Sequence, residues 1–300
     1  MKDIIIIGGG PAGLTAAIYG ARSGKSVLLF EGKSFGGQIS KSHKVENYPG
    51  FSEISGFEFS MNLKKQAESF GAEIISSKVK AVRDDGDSFT VTADKDYAAR
   101  AVIFALGTEP KKSGLANEDS LIGRGLSYCA TCDGNFFRMR DVAVIGGGNT
   151  ALQDALYLSD ICKKVYLVHR RDAFRAEKNL VEKAAGKDNI EFVLNSVLHS
   201  AEASPIIRSI TLENTLTGEK SDLAVNGLFL AIGQTPLTAD FADILPLDSY
   251  GYVQVGEDCT VRDGVYVCGD CRKKDIRQLT TATADGTVAA TKAVEYIDGM

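Results

Sequence analysis

The hydrophobic and polar positions of the chain repeat one pattern twice. Residues 4–31 begin with an apolar run, pass through a cluster of glycines, continue as an amphipathic segment and end in a second apolar run. Residues 142–169 follow the same order. This pattern predicts a β-strand, a tight turn, an α-helix and a second strand, which together form the βαβ unit of dinucleotide-binding folds.

The two copies align at one constant offset along the chain. The glycines of residues 8–10 correspond to those of residues 146–148, and further along Ala17 corresponds to Ala155. A lone glycine motif is a weak signal, because any tight turn from strand to helix favours glycine. Here each motif has a strand before it, a helix after it and a polar residue at the end of the next strand, which favours a nucleotide site in both copies.

Each copy is followed by further segments of similar design. The apolar segment of residues 101–110 resembles that of residues 228–236, and we expect strands in the stretches 73–92 and 190–212 that precede them. The sequence therefore predicts an α/β protein built from two Rossmann-like dinucleotide-binding domains.

Length and charge limit the number of domains, the kind of partner and the location of the protein. A chain of 300 residues has room for two domains, each with its own core. A net charge of −5 argues against nucleic acid as the main partner. The apolar run of residues 4–7 is too short for a signal-peptide core, and no segment reaches the roughly 18 apolar residues that span a membrane. We therefore expect a cytoplasmic protein whose six cysteines stay mostly reduced.

Both glycine turns have the chemistry that a pyrophosphate requires. A side chain at Gly8 or Gly10 would block the turn or keep the phosphates from the backbone N–H groups. The third small residue, Gly13 or Ala151, allows close packing of helix and strand. The helix N-terminus then offers free N–H donors and the positive end of its dipole.

The end of the second strand indicates which nucleotide each copy binds. Glu31 ends it in the first copy, and a carboxylate there accepts hydrogen bonds from ribose hydroxyls and repels a 2′-phosphate. In the second copy His169 is followed by Arg170, Arg171 and Arg175, whose guanidinium groups can hold a 2′-phosphate. We expect NADPH in the second site and FAD, which can accept a hydride from it, in the first. Solvated surface residues are the alternative in both cases.

Two cysteines three residues apart lie between the copies. Cys129 and Cys132 can close a small disulfide, and this spacing helps to lower a thiol pKa. Zinc binding is the alternative, because Cys268 and Cys271 have the same spacing, although the sequence has only three histidines. Asp133 is the candidate proton donor beside the pair, and a helix N-cap without catalytic duty is its alternative role.

The motifs resemble those of one known family. GGGPAG, GGQI followed by VENYPG, SYCATCDG, GGGNTA, HRRDAFRAEK and a late CGDC…IRQL occur in the order found in low-molecular-weight thioredoxin reductases, over essentially the full length. CATCD just before the second glycine motif is specific to that group. The resemblance implies an FAD domain formed by residues 1–112 and 243–300, with an NADPH domain of residues 113–242 inserted between them.

The resemblance also implies individual roles. Cys132 corresponds to the sulfur near the flavin, Cys129 to the thiol that attacks thioredoxin, and Asp133 to the acid. With the first glycine turn included, the expected FAD contacts are Gly8, Gly10, Pro11, Ala12, Gly13, Glu31, Gly36, Gly37, Gln38, Asn47, Gly107, Gly269, Asp270, Arg277 and Gln278. The expected NADPH contacts are Gly146, Gly148, Asn149, Thr150, Ala151, His169, Arg170, Arg171, Arg175, Ile232 and Gly233.

Partners and motion also follow from the resemblance. Such proteins are homodimers that rotate one domain against the other, and the hinge is expected near residues 111–114 and 240–246. Arg124 and the aromatic pair 136–137 resemble the surface that meets thioredoxin. Asn135 stands where aromatics are common. The charged segment 272–275 is expected to be a solvated loop, with a loop that faces a partner as the alternative.

Other functions remain open alternatives. Ferredoxin-driven thioredoxin reductases lack the nicotinamide signature, and related ferredoxin–NADP reductases lack the cysteine pair; this chain has both features. A flavoprotein of the alkyl hydroperoxide reductase type carries an extra N-terminal thioredoxin-like region, which we do not expect here. A small-molecule disulfide substrate is a further possibility. A non-catalytic flavin-holding redox sensor is the alternative from a different class.

Overall fold

A computed structural model describes residues 1–42 and 44–300. The chain divides into a discontinuous unit 1, formed by Met1–Glu109 and Thr235–Met300, and an inserted unit 2, formed by Pro110–Gln234. The α/β class with one Rossmann-like unit inserted into another is confirmed. The chain passes between the units at 109/110 and 234/235. Within the stretch 240–246, Phe241 and Leu245 are buried in the core of unit 1.

The elements are numbered in chain order. The strands are β1 (Lys2–Ile7), β2 (Val27–Glu31), β3 (Glu73–Ser76), β4 (Ala81–Asp84), β5 (Phe89–Thr92), β6 (Asp96–Phe104), β7 (Thr108–Pro110), β8 (Leu126–Ser127), β9 (Asp141–Gly146), β10 (Lys164–Val168), β11 (Ile190–Val193), β12 (Ser196–Ala203), β13 (Ile207–Asn214), β14 (Lys220–Ala224), β15 (Gly227–Ala231), β16 (Gln234–Pro236), β17 (Thr260–Arg262) and β18 (Val265–Val267). The α-helices are α1 (Pro11–Arg22), α2 (Gly56–Ser69), α3 (Glu118–Leu121), α4 (Ala130–Asp133), α5 (Asn149–Ser159), α6 (Lys178–Ala185) and α7 (Leu279–Asp298). Short 3₁₀ helices span Gly37–Lys41, Gly134–Phe137 and Ala239–Phe241.

Unit 1 is built on a mostly parallel sheet. Its main strand order is β17-β18-β6-β1-β2-β3, and the β4–β5 hairpin pairs with β6. Strand β1 is buried on both faces because alternate side chains enter two different clusters. Ile4 and Ile6 pack with residues of α1 and α7, whereas Ile5 and Ile7 pack with residues such as Phe104 on the other face.

Local sequence signals explain where the helices of unit 1 begin. Helix α1 starts directly after the glycine turn with Pro11, whose fixed φ suits the first helical position. Helix α2 is capped by Ser55, whose hydroxyl accepts a hydrogen bond from the Glu58 N–H at 3.1 Å. These signals determine the residue at which each helix begins.

Unit 2 repeats the same design. Its parallel sheet has the order β11-β10-β9-β15-β8, and β12, β13 and β14 form a separate antiparallel sheet. Central strand β9 is again covered on both faces, with Val142 and Val144 in one cluster and Ala143 and Ile145 in another. The strands expected in 73–92 and 190–212 are present as β3 to β5 and β11 to β13.

The parallel strands bring the predicted motifs to one edge of each sheet. In unit 1 the glycine turn, Glu31 and the turn at Gly269 follow β1, β2 and β18, which all run in the same direction. In unit 2 the second glycine turn, His169 and the cysteine pair follow β9, β10 and β8, which are also parallel. Ligands of open α/β sheets bind at this carboxyl edge. Among the described residues, no helix has both the length and the apolar character needed to cross a bilayer.

Candidate functional site

The first glycine turn lies at the carboxyl end of β1. Gly8 has a φ of +113°, and a Cβ added to it would lie 2.3 Å from the carbonyl oxygen of Ala105. A Cβ added to Gly13 would also clash, since it would lie 1.9 Å from the carbonyl oxygen of Gly8. At Gly10, by contrast, an added Cβ would have no described protein atom within 4 Å. The turn is therefore tightly packed at Gly8 and Gly13. It is open above Gly10, on the side where a Cβ would point, at the N-terminus of α1. A bound pyrophosphate requires such an opening.

The carboxylate of Glu31 lies against this turn. Its Oε2 accepts a hydrogen bond from the Gly9 N–H at 2.7 Å, and its Oε1 accepts one from the Lys33 N–H at 2.7 Å. The contact with Gly9 fixes the carboxylate beside the opening above Gly10. This is the position from which an acidic residue contacts a ribose in dinucleotide-binding folds.

Other residues predicted to contact the flavin are linked in pairs. Asn47 Nδ2 donates to Gln278 Oε1 at 3.2 Å, and Arg277 Nε donates to the carbonyl oxygen of Asp270 at 3.1 Å. Gln38 Nε2 donates to the Thr108 carbonyl oxygen at 2.8 Å. These pairs connect segments that are far apart in sequence within unit 1.

The predicted glycines after the first turn differ in their surroundings. Gly36, Gly37 and Gly107 all have positive φ. A Cβ on Gly36 would lie 2.2 Å from the hydroxyl oxygen of Ser60, so this glycine is required by packing. A Cβ on Gly37 would lie 3.6 Å from the Cα of Gly10, which places Gly37 at the border of the same opening.

Asp270 provides a direct test of whether a ligand fits unit 1. Its Oδ1 is buried and has no hydrogen-bond partner among residues 1–42 and 44–300. Burial raises the pKa of this carboxyl above its ordinary value. An unpartnered buried oxygen costs free energy, and a hydroxyl-rich ligand at this edge of the sheet would satisfy it. The residues of unit 1 therefore fit a flavin dinucleotide.

The second glycine turn in unit 2 has the same construction. A Cβ on Gly146 would lie 2.5 Å from the carbonyl oxygen of Ala231, while one on Gly148 would again meet no described atom within 4 Å. Ala151 is fully buried behind the turn. Asn149 binds Glu177 reciprocally, because its Oδ1 accepts from the Glu177 N–H and its Nδ2 donates to Glu177 Oε1, both at 2.9 Å. This pair ties the segment after β10 to the start of α5.

The basic cluster lies next to this second turn. The N–H of Arg175 donates to the Gly147 carbonyl oxygen at 2.8 Å. Arg170, Arg171 and Arg175 are exposed, and in the described part of the chain none of their guanidinium groups is paired with a carboxylate. Three cations without counterions beside a phosphate-binding turn fit a ligand with an additional phosphate.

His169 is buried beneath the same turn. Its ring stacks on Phe174 with centroids 5.3 Å apart, and a Cβ on Gly147 would lie 2.1 Å from it. Burial, and after it the charges of Arg175 and Arg170, lower the pKa of His169 below its ordinary value. This environment disfavours the charged imidazolium, and the ring supports the turn by packing.

The two cysteines of the CATC motif form a disulfide. Cys129 and Cys132 are joined with a Cα–Cα distance of 5.3 Å, and both are half-buried. Cys129 is the N-cap of α4, which begins just after strand β8. The bond therefore lies beyond the carboxyl edge of the sheet that also carries the second glycine turn.

A hydroxyl that the sequence did not single out joins the disulfide to the candidate acid. Ser127 Oγ donates to Asp133 Oδ2 at 2.5 Å and accepts from the Cys129 N–H at 3.0 Å. The N–H of Asp133 donates to the Cys129 carbonyl oxygen at 3.1 Å. Ser127 is almost fully buried at the end of β8. The disulfide, the acid and the hydroxyl thus form one compact group that can accept electrons and move a proton.

This arrangement of a nucleotide turn and a disulfide in one unit matches a known family over nearly the whole chain. A family profile for pyridine nucleotide-disulphide oxidoreductase matches residues 2–286. The chain belongs to the pyridine nucleotide-disulphide oxidoreductase family.

Similar relatives and structures carry a more specific name. A thioredoxin reductase of Bacillus subtilis is 40% identical over 301 residues, covering 99% of this chain and 95% of the relative. A thioredoxin reductase of Streptomyces coelicolor is 45% identical over 306 residues, covering 100% and 95% respectively. A crystal structure of thioredoxin reductase from Streptococcus pyogenes matches with a TM-score of 0.95 at 39% identity, covering 100% of this chain and 99% of the other.

Membership of the pyridine nucleotide-disulphide oxidoreductase family makes this chain a flavoprotein disulfide oxidoreductase. Flavin and nicotinamide cofactors are implied by the family, and the openings above Gly10 and Gly148 fit two such groups. The predicted resemblance to low-molecular-weight thioredoxin reductases is confirmed by the relatives and structures above.

Two expectations about this family member's surface hold for only part of each segment, since Phe136 is exposed as expected and so are Lys273 and Asp275. Phe136 is 43% exposed, but Phe137 is buried against Phe229 with ring centroids 5.4 Å apart. Phe137 lies in the 3₁₀ helix Gly134–Phe137, which turns its ring into the core of unit 2. The charged segment 272–275 was expected to be solvated, yet Arg272 is 1% exposed. Its burial is possible because Asp285 of α7 pairs with the guanidinium group at 3.0 Å.

Sequence reasoning also missed a second buried network beside the disulfide. Glu118 is buried and accepts hydrogen bonds from the Ser113 N–H at 2.8 Å, the Ser113 hydroxyl at 2.5 Å and the Tyr128 hydroxyl. Burial raises the pKa of Glu118, but the hydrogen bonds from Ser113 and Tyr128 outweigh it and keep the pKa below its ordinary value. Tyr128 directly precedes Cys129, so this network fixes the backbone that leads into the disulfide.

The other four cysteines are buried thiols. Cys162, Cys259, Cys268 and Cys271 are not in disulfides. Within the described ranges, no three His, Cys, Asp or Glu side chains are grouped so that they could hold a metal ion. Burial raises the pKa of Cys271 to about 11, so this thiol stays protonated at neutral pH.

Proposed function

We propose that this oxidoreductase is a thioredoxin reductase that carries electrons from NADPH through FAD and the Cys129–Cys132 disulfide to oxidised thioredoxin. One observation carries the proposal: the disulfide, Asp133 and Ser127 form a hydrogen-bonded group within the unit that also contains a nucleotide-binding turn. A structural disulfide would not need a hydrogen-bonded carboxylate–hydroxyl pair at its side.

Each cofactor is assigned to the unit whose residues suit it. FAD belongs to unit 1. There Glu31 lies at the ribose position, and the buried Asp270 Oδ1 has no hydrogen-bond donor among the described residues. NADPH belongs to unit 2, where the basic cluster of Arg170, Arg171 and Arg175 replaces that acid. When bound, the two groups together supply a pair of electrons as a hydride equivalent.

The residues of the chain then convert these electrons into a thiol product. The electron pair breaks the Cys129–Cys132 bond and leaves two sulfurs, of which one takes a proton and one stays a thiolate. Asp133, whose amide N–H is bonded to the Cys129 carbonyl oxygen, supplies that proton. Ser127 links the Asp133 carboxyl to the Cys129 N–H by its hydrogen bonds of 2.5 Å and 3.0 Å.

Disulfide exchange delivers the electrons to thioredoxin. The Cys129 thiolate attacks one thioredoxin sulfur, so that a mixed disulfide forms as the thioredoxin disulfide breaks. Cys132 then attacks the Cys129 sulfur, which restores the original disulfide and releases the second thioredoxin thiolate. Asp133 regains its proton from Cys132 as that thiol attacks and passes it to one leaving thiolate, and solvent protonates the other. The proton that enters with the hydride equivalent then recharges Asp133. The overall reaction converts NADPH, one proton and oxidised thioredoxin into NADP⁺ and reduced thioredoxin.

The proposal extends to assembly and location. We infer that the protein acts as a homodimer in the cytoplasm, and that neither nucleic acid nor membrane is a partner. The net charge of −5 supports the exclusion of nucleic acid.

A turnover assay tests the proposal. NADPH consumption by the FAD-loaded protein is measured with and without oxidised thioredoxin, with NADH and a Cys132→Ser variant as controls. We expect turnover that depends on thioredoxin, is slower with NADH and is lost in the variant. Flavin reduction by NADPH without acceleration by thioredoxin would mean that another disulfide is the substrate. If NADPH does not reduce the flavin, the assignment of the basic cluster is wrong.

A further inference from the structure

A buried carboxylate on α7 gathers three donors in unit 1. Asp285 Oδ2 accepts hydrogen bonds from the Gly269 N–H at 2.9 Å and from Lys274 Nζ at 2.8 Å. Its Oδ1 accepts one from an Arg272 guanidinium nitrogen at 3.0 Å. Asp285 and Lys274 have side chains that are about nine-tenths buried, and Arg272 is buried completely. Such a group is stable only while all its charges are paired.

All three donors come from one short segment that follows β18. The segment 269–274 contains Asp270, which carries the unpartnered buried oxygen described above. Arg277 closes the segment from the other side, because its guanidinium group donates to the carbonyl oxygens of Asp270 and Arg272, both at 3.1 Å. The path of this backbone is therefore set by Asp285 together with Arg277.

The same segment borders the first glycine turn at van der Waals distance. A Cβ on Gly269 would lie 2.9 Å from the Ala12 Cβ, and a Cβ on Gly286 would lie 2.1 Å from the Ala12 carbonyl oxygen. Helix α7, helix α1 and the segment thus meet at Ala12 with no spare room. A shift of the segment would displace Asp270 relative to the opening above Gly10.

We propose that Asp285 is a positioning residue for the flavin site, which holds the Gly269–Asp270 turn in its binding conformation before the flavin arrives. This inference rests on the proposed function in one respect, the assignment of FAD to unit 1. Preorganisation of this kind increases affinity, because the free protein does not have to order the turn when the ligand binds.

The chemistry of the three contacts suggests a selective substitution. Every group that faces the Asp285 carboxylate is a hydrogen-bond donor, and two of them are cations. An amide has one acceptor oxygen and one donor nitrogen, so Asp285→Asn can satisfy only one side of this arrangement. Either Gly269 and Lys274 lose their acceptor or Arg272 does, and the turn loosens.

Flavin affinity is the measurement that tests the inference. The full-length chain is stripped of flavin, and FAD binding is followed by quenching of flavin fluorescence in wild type, Asp285→Asn and Glu295→Gln. The last variant makes the same chemical change on the same helix, at an exposed site paired with Lys292. We expect the FAD dissociation constant to rise at least about tenfold in Asp285→Asn and to stay within about twofold in Glu295→Gln.

The results of this titration distinguish a failure of the positioning role of Asp285 from a failure of the proposed function. An unchanged affinity in Asp285→Asn, or an equal loss in both variants, would overturn the positioning role. If the wild-type chain binds no FAD, the proposed function itself fails.

Amide exchange of the wild-type apo-protein provides a second test that does not depend on a variant folding. We expect the segment 267–274 to be protected from exchange before FAD is added, with little further protection afterwards. Free exchange in the apo-protein, followed by strong protection on binding, would show that the flavin orders the turn and Asp285 does not.

Discussion

The hydroxyl of Ser127 donates a hydrogen bond of 2.5 Å to the carboxylate of Asp133, and the same oxygen accepts from the N–H of Cys129. Ser127 ends strand β8, whose partner β15 holds it in register opposite Phe229. A residue fixed in the core of unit 2 thus sets the relative position of a thiol and its candidate proton donor. Loss of the hydroxyl would remove this hydrogen bond from the Asp133 carboxyl and leave the Cys129 N–H without the Ser127 acceptor.

Substitution of Ser127 is therefore expected to slow thioredoxin reduction. We expect Ser127→Ala to lower the single-turnover rate about tenfold or more, as the loss of a hydrogen bond to a charged group implies. Ser127→Thr keeps the hydroxyl and should recover most of the rate. Stopped-flow measurement of thioredoxin reduction by the prereduced enzyme checks this. A wild-type rate in the alanine variant, or no recovery with threonine, would contradict the role.

Alanine substitutions at two glycines of the first turn should have different effects on stability and on FAD binding. Gly8→Ala must place a Cβ 2.3 Å from the Ala105 oxygen at a φ of +113°, so we expect a loss of stability in the apo-protein. Gly10→Ala meets no described atom, so its stability should change by about 1 kcal/mol or less while FAD binding weakens. Urea unfolding and FAD titration of both variants test the difference. Equal effects of the two changes on stability would show that this interpretation of the turn is wrong.

The basic cluster should determine the choice between NADPH and NADH. Arg170→Gln, Arg171→Gln or Arg175→Gln is expected to raise the KM for NADPH about tenfold, since each removes a charge-assisted contact to the 2′-phosphate. The KM for NADH should stay nearly constant. Lys178→Gln is the matched control, because Lys178 is exposed and paired with Glu182. A parallel rise for both nucleotides would place the 2′-phosphate elsewhere.

The carboxyl of Asp154 on α5 should make stability depend on pH. Burial raises its pKa from 3.8 to about 7. The folded chain therefore binds this proton more tightly than the unfolded chain does, and the contribution to stability is lost as pH rises from about 4 to about 7. We expect Asp154→Asn to be more stable than wild type, by a margin about 2 kcal/mol larger at pH 8.5 than at pH 5.5. Urea unfolding of both proteins at pH 5.5 and pH 8.5 tests this prediction. A stability difference between variant and wild type that does not change with pH would contradict the raised pKa.

Local motifs explain why much of the site was predictable from the sequence. The turns at Gly8 and Gly146, and the residues Glu31 and Arg175 that follow them, belong to contiguous βαβ units whose geometry is set by residues close in sequence. The parallel pairing of β1 with β2 and of β9 with β10 follows from the same units. For this reason the sequence could predict the fold and the openings above both turns.

Contacts between distant segments account for what the sequence could not predict. Asp285 meets Gly269 only because α7 packs against α1, and no spacing rule anticipates that contact. Charged residues in a row suggested a solvated loop, but Arg272 is buried because this carboxylate is available to it. Of two adjacent rings, the 3₁₀ helix buries Phe137 and exposes Phe136. Ser127 gains its role from where β8 ends relative to α4.

The most direct test of electron delivery through the disulfide is to trap the enzyme on its substrate. Oxidised thioredoxin is mixed with the prereduced Cys132→Ser variant, and the covalent species is identified by mass spectrometry after proteolysis. We predict a mixed disulfide between Cys129 and one thioredoxin cysteine, cleavable by a thiol reductant, with none in the Cys129→Ser variant. A complex formed by Cys132 in the Cys129→Ser variant, or no complex with either variant, would contradict the assignment of Cys129 as the attacking thiol.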